Sequence, residues 1–212
     1  ERFTNKPHVV RPSTLPLDEY ADVYVAQQAK RYLESYDRDE PWFCWVSFGG
    51  PHEPWDAPEP YASMYEPSAM PQPVIRPQDD HPRPQGWLDF HMERNSPKLE
   101  STDAEDMRAN YAGNVSLIDD QIGEILDTIE ERGELSNTVI AFTSDHGEMN
   151  GDWGLIYKMN FLNGALRVPM IVRTPETLVA GGGVENDDLV ENMDLGPTLV
   201  ELAGGELEHR QF

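Results

Sequence analysis

With 212 residues, 38% of them hydrophobic, and five Trp, eight Tyr and seven Phe, the chain can bury one sizeable core, and its composition excludes wholesale disorder. Thirty-nine acidic residues against 16 basic ones give a formal charge of −23, which argues against nucleic-acid binding, because that rests on Lys and Arg neutralising phosphates. Any site for an anionic ester must then be locally cationic, through a metal or a few placed bases. Cys44 is the only cysteine, so an intrachain disulfide and a cysteine-built zinc cluster are excluded. No apolar run approaches the roughly 18 residues of a membrane span, and the opening Glu1-Arg2-Phe3-Thr4-Asn5 is not a signal peptide, which leaves localisation open.

Residues 1–16 read as extended and proline-punctuated. Over 17–36, Val23, Ala26, Ala29, Lys30 and Leu33 recur at helical intervals behind Asp18 and Glu19, which predicts a helix. The aromatic and β-branched run 41–48, stopped by Gly49-Gly50-Pro51, predicts a buried strand that feeds a loop and holds Cys44 as a buried structural thiol. From about 55 to 100 prolines are frequent and no period is sustained, so this stretch reads as a long ordered excursion, with Asp79-Asp80-His81 a polar turn.

Met107, Tyr111, Val115, Ile118, Ile122, Ile125 and Ile129 then mark the core stripe of a long amphipathic helix ending at Gly133. Buried strands follow at 137–143 and 168–172, the second bearing Pro169, and Pro197-Thr198 suits the first turn of a closing helix. The order predicts an α/β fold with a largely parallel sheet flanked by helices.

Three segments carry candidate chemistry. Ser144-Asp145-His146-Gly147-Glu148 comes directly after a predicted strand, and ligands gather beyond the carboxyl ends of strands in α/β sheets. Asp145 and His146 offer a carboxylate and an imidazole, both good donors to a divalent cation; a satisfied hydrogen-bonded pair is the other reading. His52, in Pro51-His52-Glu53-Pro54, is either a surface-turn histidine or a working imidazole on a rigid loop. Lys158 is either a solvated charge or a placed cation, and its position in a loop between two predicted strands, thirteen residues past Asp145, supports the second.

In this order the segments resemble the sulfatase family of the alkaline phosphatase superfamily. The match comprises Pro51-His52-Glu53-Pro54, Asp119-Asp120-Gln121-Ile122-Gly123, Ser144-Asp145-His146-Gly147, Lys158, Arg167-Val168-Pro169 and the helix-opening Met193-Asp194-Leu195-Gly196-Pro197-Thr198-Leu199. His146 together with Tyr157-Lys158-Met159 is most similar to choline sulfatases and phosphonate monoester hydrolases.

The resemblance implies an alkaline-phosphatase-like partial domain spanning 1–212, with Asp145 and His146 as metal ligands and His52 and Lys158 contacting the sulfate group. Asp119 is expected as an interior structural carboxylate and Arg167 as a loop-strand anchor. One divalent ion is implied, Ca²⁺ first and Mn²⁺ or Mg²⁺ next, together with a small-molecule or saccharide sulfate ester as substrate. The activity implied is sulfuric ester hydrolysis. Phosphonate or phosphate ester hydrolysis on the same scaffold and non-catalytic binding are the alternatives.

The chain departs from the family in one respect. The family's formylglycine arises from Cys or Ser in a Cys/Ser-x-Pro/Ala-x-Arg motif, which neither Cys44 nor any Ser here satisfies. The formylglycine and further metal carboxylates are therefore expected upstream, the chain being the middle and later part of a longer protein or a degenerate relative, and inactive alone.

Overall fold

The computed structural model describes residues 9–77, 86, 99, 101–175 and 183–206. The chain divides into two compact units, one of residues 1–136 and 146–167 and the other of 137–145 and 168–212. The Asp79-Asp80-His81 turn lies outside the described residues.

In the first unit, a single 3₁₀ turn at Leu17–Glu19 leads to α1, Ala21–Ser35. The two are separated by Tyr20, whose backbone is extended (φ −72°, ψ 142°), so the helix predicted over 17–36 is broken there. Ala26, Ala29 and Leu33 of α1 are buried against Ile125 and Ile129 of α2, Ser101–Glu131. Burying a Leu- or Ile-sized side chain contributes about 1.5–3 kcal/mol, so this apolar seam holds the pair together. The Lys30–Glu124 bridge at 2.9 Å is exposed and adds little.

The stripe predicted on α2 is partly corrected. Val115 is exposed, whereas Asn110, Asn114 and Gln121 are buried. Asn110 earns its inward place by accepting the Ala57 N–H at 3.3 Å, which satisfies a loop backbone that would otherwise be buried unpaired. The helix ends as the sequence predicts: Gly133 takes a left-handed φ of 72°, and the Glu134 N–H reaches back to the Ile129 carbonyl at 3.1 Å.

Residues 41–48 are extended, but no backbone hydrogen bond joins them to another segment among the described residues, so they form no strand there. Exposure alternates along them. Trp42, Val46 and Phe48 pack on the α1–α2 seam, whereas Phe43 and Trp45 are 70% and 73% exposed. The expected burial is therefore corrected to burial of one face, because an extended chain sends successive side chains to opposite sides. Cys44 is half-buried and free, its thiol pushed up by desolvation.

The excursion after residue 51 is ordered as far as residue 77 is described. Residues 11–13 run beside 55–57 through Arg11 N–H to Trp55 O and Ser13 N–H to Ala57 O, each 3.1 Å. Two single 3₁₀ turns follow, Tyr61–Ser63 and Pro67–Ala69. The Tyr61 hydroxyl donates to Asp120 at 2.6 Å. The neighbouring Asp119, expected inside, is exposed. The two carboxylates stand about 100° apart on the helix, and it is Asp120 that faces the excursion.

In the second unit, β1 (Ile140–Thr143) and β2 (Met170–Arg173) pair antiparallel, with Ile140 opposite Arg173 and Thr143 opposite Met170. The predicted parallel arrangement is not what the described strands form. The connection from 144 to 169 contains a single 3₁₀ turn, Asp152–Gly154, and the four-residue α3, Asn163–Leu166, both too short for the crossover helix that parallel neighbours need. Ile171 and Val172, expected buried, are exposed.

The closing helix α4 spans Asn192–Leu202 and opens with a capping box between Glu191 and Asp194. Pro197 therefore sits inside the helix rather than in its first turn. Asn192 ties the helix start to the end of β1, accepting from Thr143 Oγ1 at 2.9 Å and donating to the Ser144 carbonyl at 2.8 Å.

Candidate functional site

His52 and Lys158, 106 residues apart, meet within the first unit, Lys158 Nζ lying in hydrogen-bond contact with His52 Nε2. The tautomer follows from the other ring nitrogen. His52 Nδ1 lies 2.9 Å from the Glu53 carbonyl oxygen, which can only accept, so Nδ1 carries the proton and Nε2 offers a lone pair to the ammonium. Glu53 Oε2 is also 2.9 Å from Nδ1 yet has no hydrogen bond, so it contributes charge while the main-chain carbonyl accepts the Nδ1–H.

The His146 ring stands 6.1 Å from that of His52. Its Nδ1 lies 2.9 Å from the Gly147 carbonyl, which by the same argument places a proton on Nδ1 and fixes the ring. Asp145, exposed, is the residue before it in the chain and belongs to the second unit. Among the described residues no group of three or more His, Cys, Asp or Glu is placed to hold a metal ion. A carboxylate and an imidazole are both donors that a divalent ion accepts, and hard cations take six or more ligands. Arg167 is exposed, and its backbone N–H closes α3 onto Asn163 O at 2.9 Å.

Two further carboxylates hold the loops that carry these side chains. Asp22 of α1, 2% exposed, accepts the Gly49 N–H at 2.7 Å and the Gly50 N–H at 3.1 Å, two residues before His52. A Cβ on Gly50 would stand 2.5 Å from Asp22 Oδ2 and 2.6 Å from Asn114 Nδ2, so any larger residue there must displace these two side chains. On the other side, Glu148 Oε1 accepts the N–H groups of Asn150 and Tyr157. Desolvation pushes the Glu148 carboxyl up, the two backbone bonds oppose this, Glu53 raises it further and Lys158 lowers it. Desolvation, with Glu53 and Glu148 nearby, raises the Tyr157 hydroxyl to about 12.

The sequence signals for these two carboxylates differ. Asp22 lies at i and Ala26, Ala29 and Leu33 at i+4, i+7 and i+11, so a charged residue stands on the apolar face of a helix, and such a residue needs a buried partner. Glu148 carries no such mark, because its partners are main-chain amides.

An ammonium joined to an imidazole across two loops, beside a second imidazole, forms a site in which Lys158 presents N–H donors to an anion. The sequence profile of the sulfatase family matches residues 2–205, and the chain belongs to that family. It is 32% identical over 200 residues to a choline-sulfatase of Rhizobium meliloti, covering 90% of this chain and 38% of that protein. It is 31% identical over 209 residues to a multifunctional alkaline phosphatase superfamily protein of Trinickia caryophylli, covering 92% of this chain and 40% of the relative.

Among solved structures, a phosphonate monoester hydrolase from Silicibacter pomeroyi superposes with a TM-score of 0.75 at 26% identity, over 95% of this chain and 43% of that one. The fold is thus part of a sulfatase and alkaline-phosphatase-like domain. The chain spans about two fifths of the length of these relatives.

Proposed function

We propose that this chain serves a sulfuric ester hydrolase, supplying His52 and Lys158 as the groups that hold the sulfate anion. The observation that carries this reading is the meeting of His52 with Lys158 next to His146, in a chain of the sulfatase family. In a protein of charge −23, an ammonium held against a neutral imidazole gives an incoming sulfate a local attraction that the surface as a whole denies it. The Lys158 ammonium has three N–H donors and directs one at His52 Nε2, so two remain for ester oxygens. As the S–O bond lengthens, charge grows on the bridging oxygen, and Lys158 is the group here that can donate to it. His52, with its proton fixed on Nδ1 toward Glu53 O, orients that ammonium.

Asp145 and His146 are proposed as ligands of a divalent ion, Ca²⁺ first and Mg²⁺ or Mn²⁺ next, completed by donors from elsewhere in the protein. Such an ion, when bound, neutralises sulfate oxygens. The formylglycine expected of the family is not encoded in these 212 residues, because no Cys or Ser here stands in the maturation motif. Phosphonate ester hydrolysis is the second reading, supported by the superpositions on phosphonate monoester hydrolases, and both anions are tetrahedral.

The test is turnover of 4-nitrophenyl sulfate and a phosphonate monoester by the full-length protein and its His52→Ala and Lys158→Ala variants. Lys158→Ala is expected to lower kcat by about 10²–10³-fold on the sulfate, the usual loss when a transition-state donor is removed, and His52→Ala by about 10²-fold through misplacement of the ammonium. Near-parental rates in both variants would remove the assigned roles. A preference for the phosphonate would favour the second reading.

A further inference from the structure

We propose that Glu148 is the positioning residue for Lys158, fixing where the ammonium meets the anion by clamping the backbone of Tyr157. The inference deepens the reading of Lys158 as an anion-binding group and rests on it.

One oxygen, Glu148 Oε1, accepts from the amides at both ends of the turn 150–157. Both donors, Asn150 (φ 47°) and Tyr157 (φ 71°), are non-glycine residues in the left-handed region, which side chains with a Cβ seldom adopt. Such conformations persist only where their surroundings over-determine them, and they cluster where geometry matters. Tyr157 is held at three points. Its N–H goes to Glu148, its carbonyl accepts the Met149 N–H at 3.1 Å, and its ring stacks on the buried Trp55 at a centroid distance of 6.2 Å and an interplanar angle of 14°. The next residue is Lys158, so the direction in which its side chain leaves the loop is set by the torsions of Tyr157. An aspartate at 148 would be a methylene too short to reach both amides, whereas a glutamine keeps the length and the accepting Oε1.

The contrast between reach and charge makes the proposal testable with Glu148→Gln and Glu148→Asp, both of which retain a polar group of similar bulk. In ¹H–¹⁵N spectra of the 212-residue chain, Tyr157 and Asn150 amide protons are expected downfield in the parent and in Glu148→Gln, and shifted upfield in Glu148→Asp. The His52 Nε2 resonance should move with them, as Lys158 withdraws. In the full-length protein, Glu148→Asp is expected to lose about 10²-fold in kcat on 4-nitrophenyl sulfate, the scale of an ångström-sized misplacement, with Glu148→Gln near the parent.

The opposite ranking, with Asp preserving the amide shifts and the rate while Gln loses both, overturns the proposal, because charge and not reach would then matter. Unchanged Tyr157 and His52 resonances in Glu148→Asp overturn it equally. Titration of the parent chain with inorganic sulfate separates the two layers. If sulfate leaves the His52 and Lys158 resonances unmoved while Glu148→Asp releases the amides as expected, the anion-binding reading of Lys158 fails and the clamp on Tyr157 stands.

Discussion

Replacing Gly147 by alanine places a methyl group where the backbone leaves no room. A Cβ there would lie 2.1 Å from the Gly164 carbonyl oxygen and 3.1 Å from its carbon, and neither is the end of a side chain that can swing aside. The strands of loop at 147 and 164–165 must then separate, and the Gly147 N–H to Ala165 O hydrogen bond, 2.7 Å in the native chain, stretches with them. Overpacking costs about 1–3 kcal/mol and the lost hydrogen bond about 0.5–1.5 kcal/mol, so a total of about 2–4 kcal/mol is expected. For a chain of this length that is a fall in Tm of about 4–16 °C, measurable by thermal denaturation followed by circular dichroism. Gly164→Ala is the internal control. Its nearest contact would be Met149 Sδ at 3.2 Å, a flexible side-chain end, so its effect should be the smaller of the two. A Gly147→Ala Tm within about 1 °C of the parent would refute the close approach of these loops.

Three other outcomes follow from features already described. Asp22→Ala would strand the Gly49 and Gly50 N–H groups and should cost about 1–3 kcal/mol for each in urea unfolding, with Asp22→Asn milder because one accepting oxygen remains. Tyr61 is pushed up to about 12 by desolvation and its bond to Asp120, so its contribution to stability is complete below pH 10. That contribution is lost as pH rises through about 12, because the unfolded chain gives up the proton first; tyrosinate absorbance compared between the parent and Tyr61→Phe checks it, and ionisation near 10 would contradict it. Gly123→Ala, inside α2 with nothing within 4 Å of the added Cβ, should stabilise by about 0.5–1 kcal/mol, read from the urea midpoint.

The two long helices were legible in the sequence because a 3.6-residue period in Ala26, Ala29 and Leu33, and in Ile118, Ile125 and Ile129, has few other meanings. Which face of 41–48 is buried is not legible in the sequence, because Trp42, Phe43, Trp45 and Val46 are all apolar, and composition then carries no record of which face meets the helices. The exposure of Val115 has a related origin: Asn110 faces inward to meet loop backbone, a need that appears only once the loop is in place. His52, His146 and Lys158 were found from motif order, and the structure brings their side chains together. The role of Glu148 is not legible in the sequence, because a carboxylate that binds main-chain amides depends on the path of the backbone after it rather than on any partner residue type.

The two-faced segment 41–48 also governs how the chain behaves in a tube. Phe43 and Trp45 point outward from an extended backbone whose amides and carbonyls have no main-chain partner among the described residues, the kind of edge on which another extended chain can add itself. At low ionic strength a charge of −23 keeps copies apart. At about 0.15 M salt the screening length falls to about 8 Å, shorter than the distance over which that repulsion must act, and sticky encounters through the aromatic face become frequent. Purification and spectroscopy of the 212-residue chain therefore belong in dilute buffer, where its surplus of carboxylates acts as a built-in dispersant.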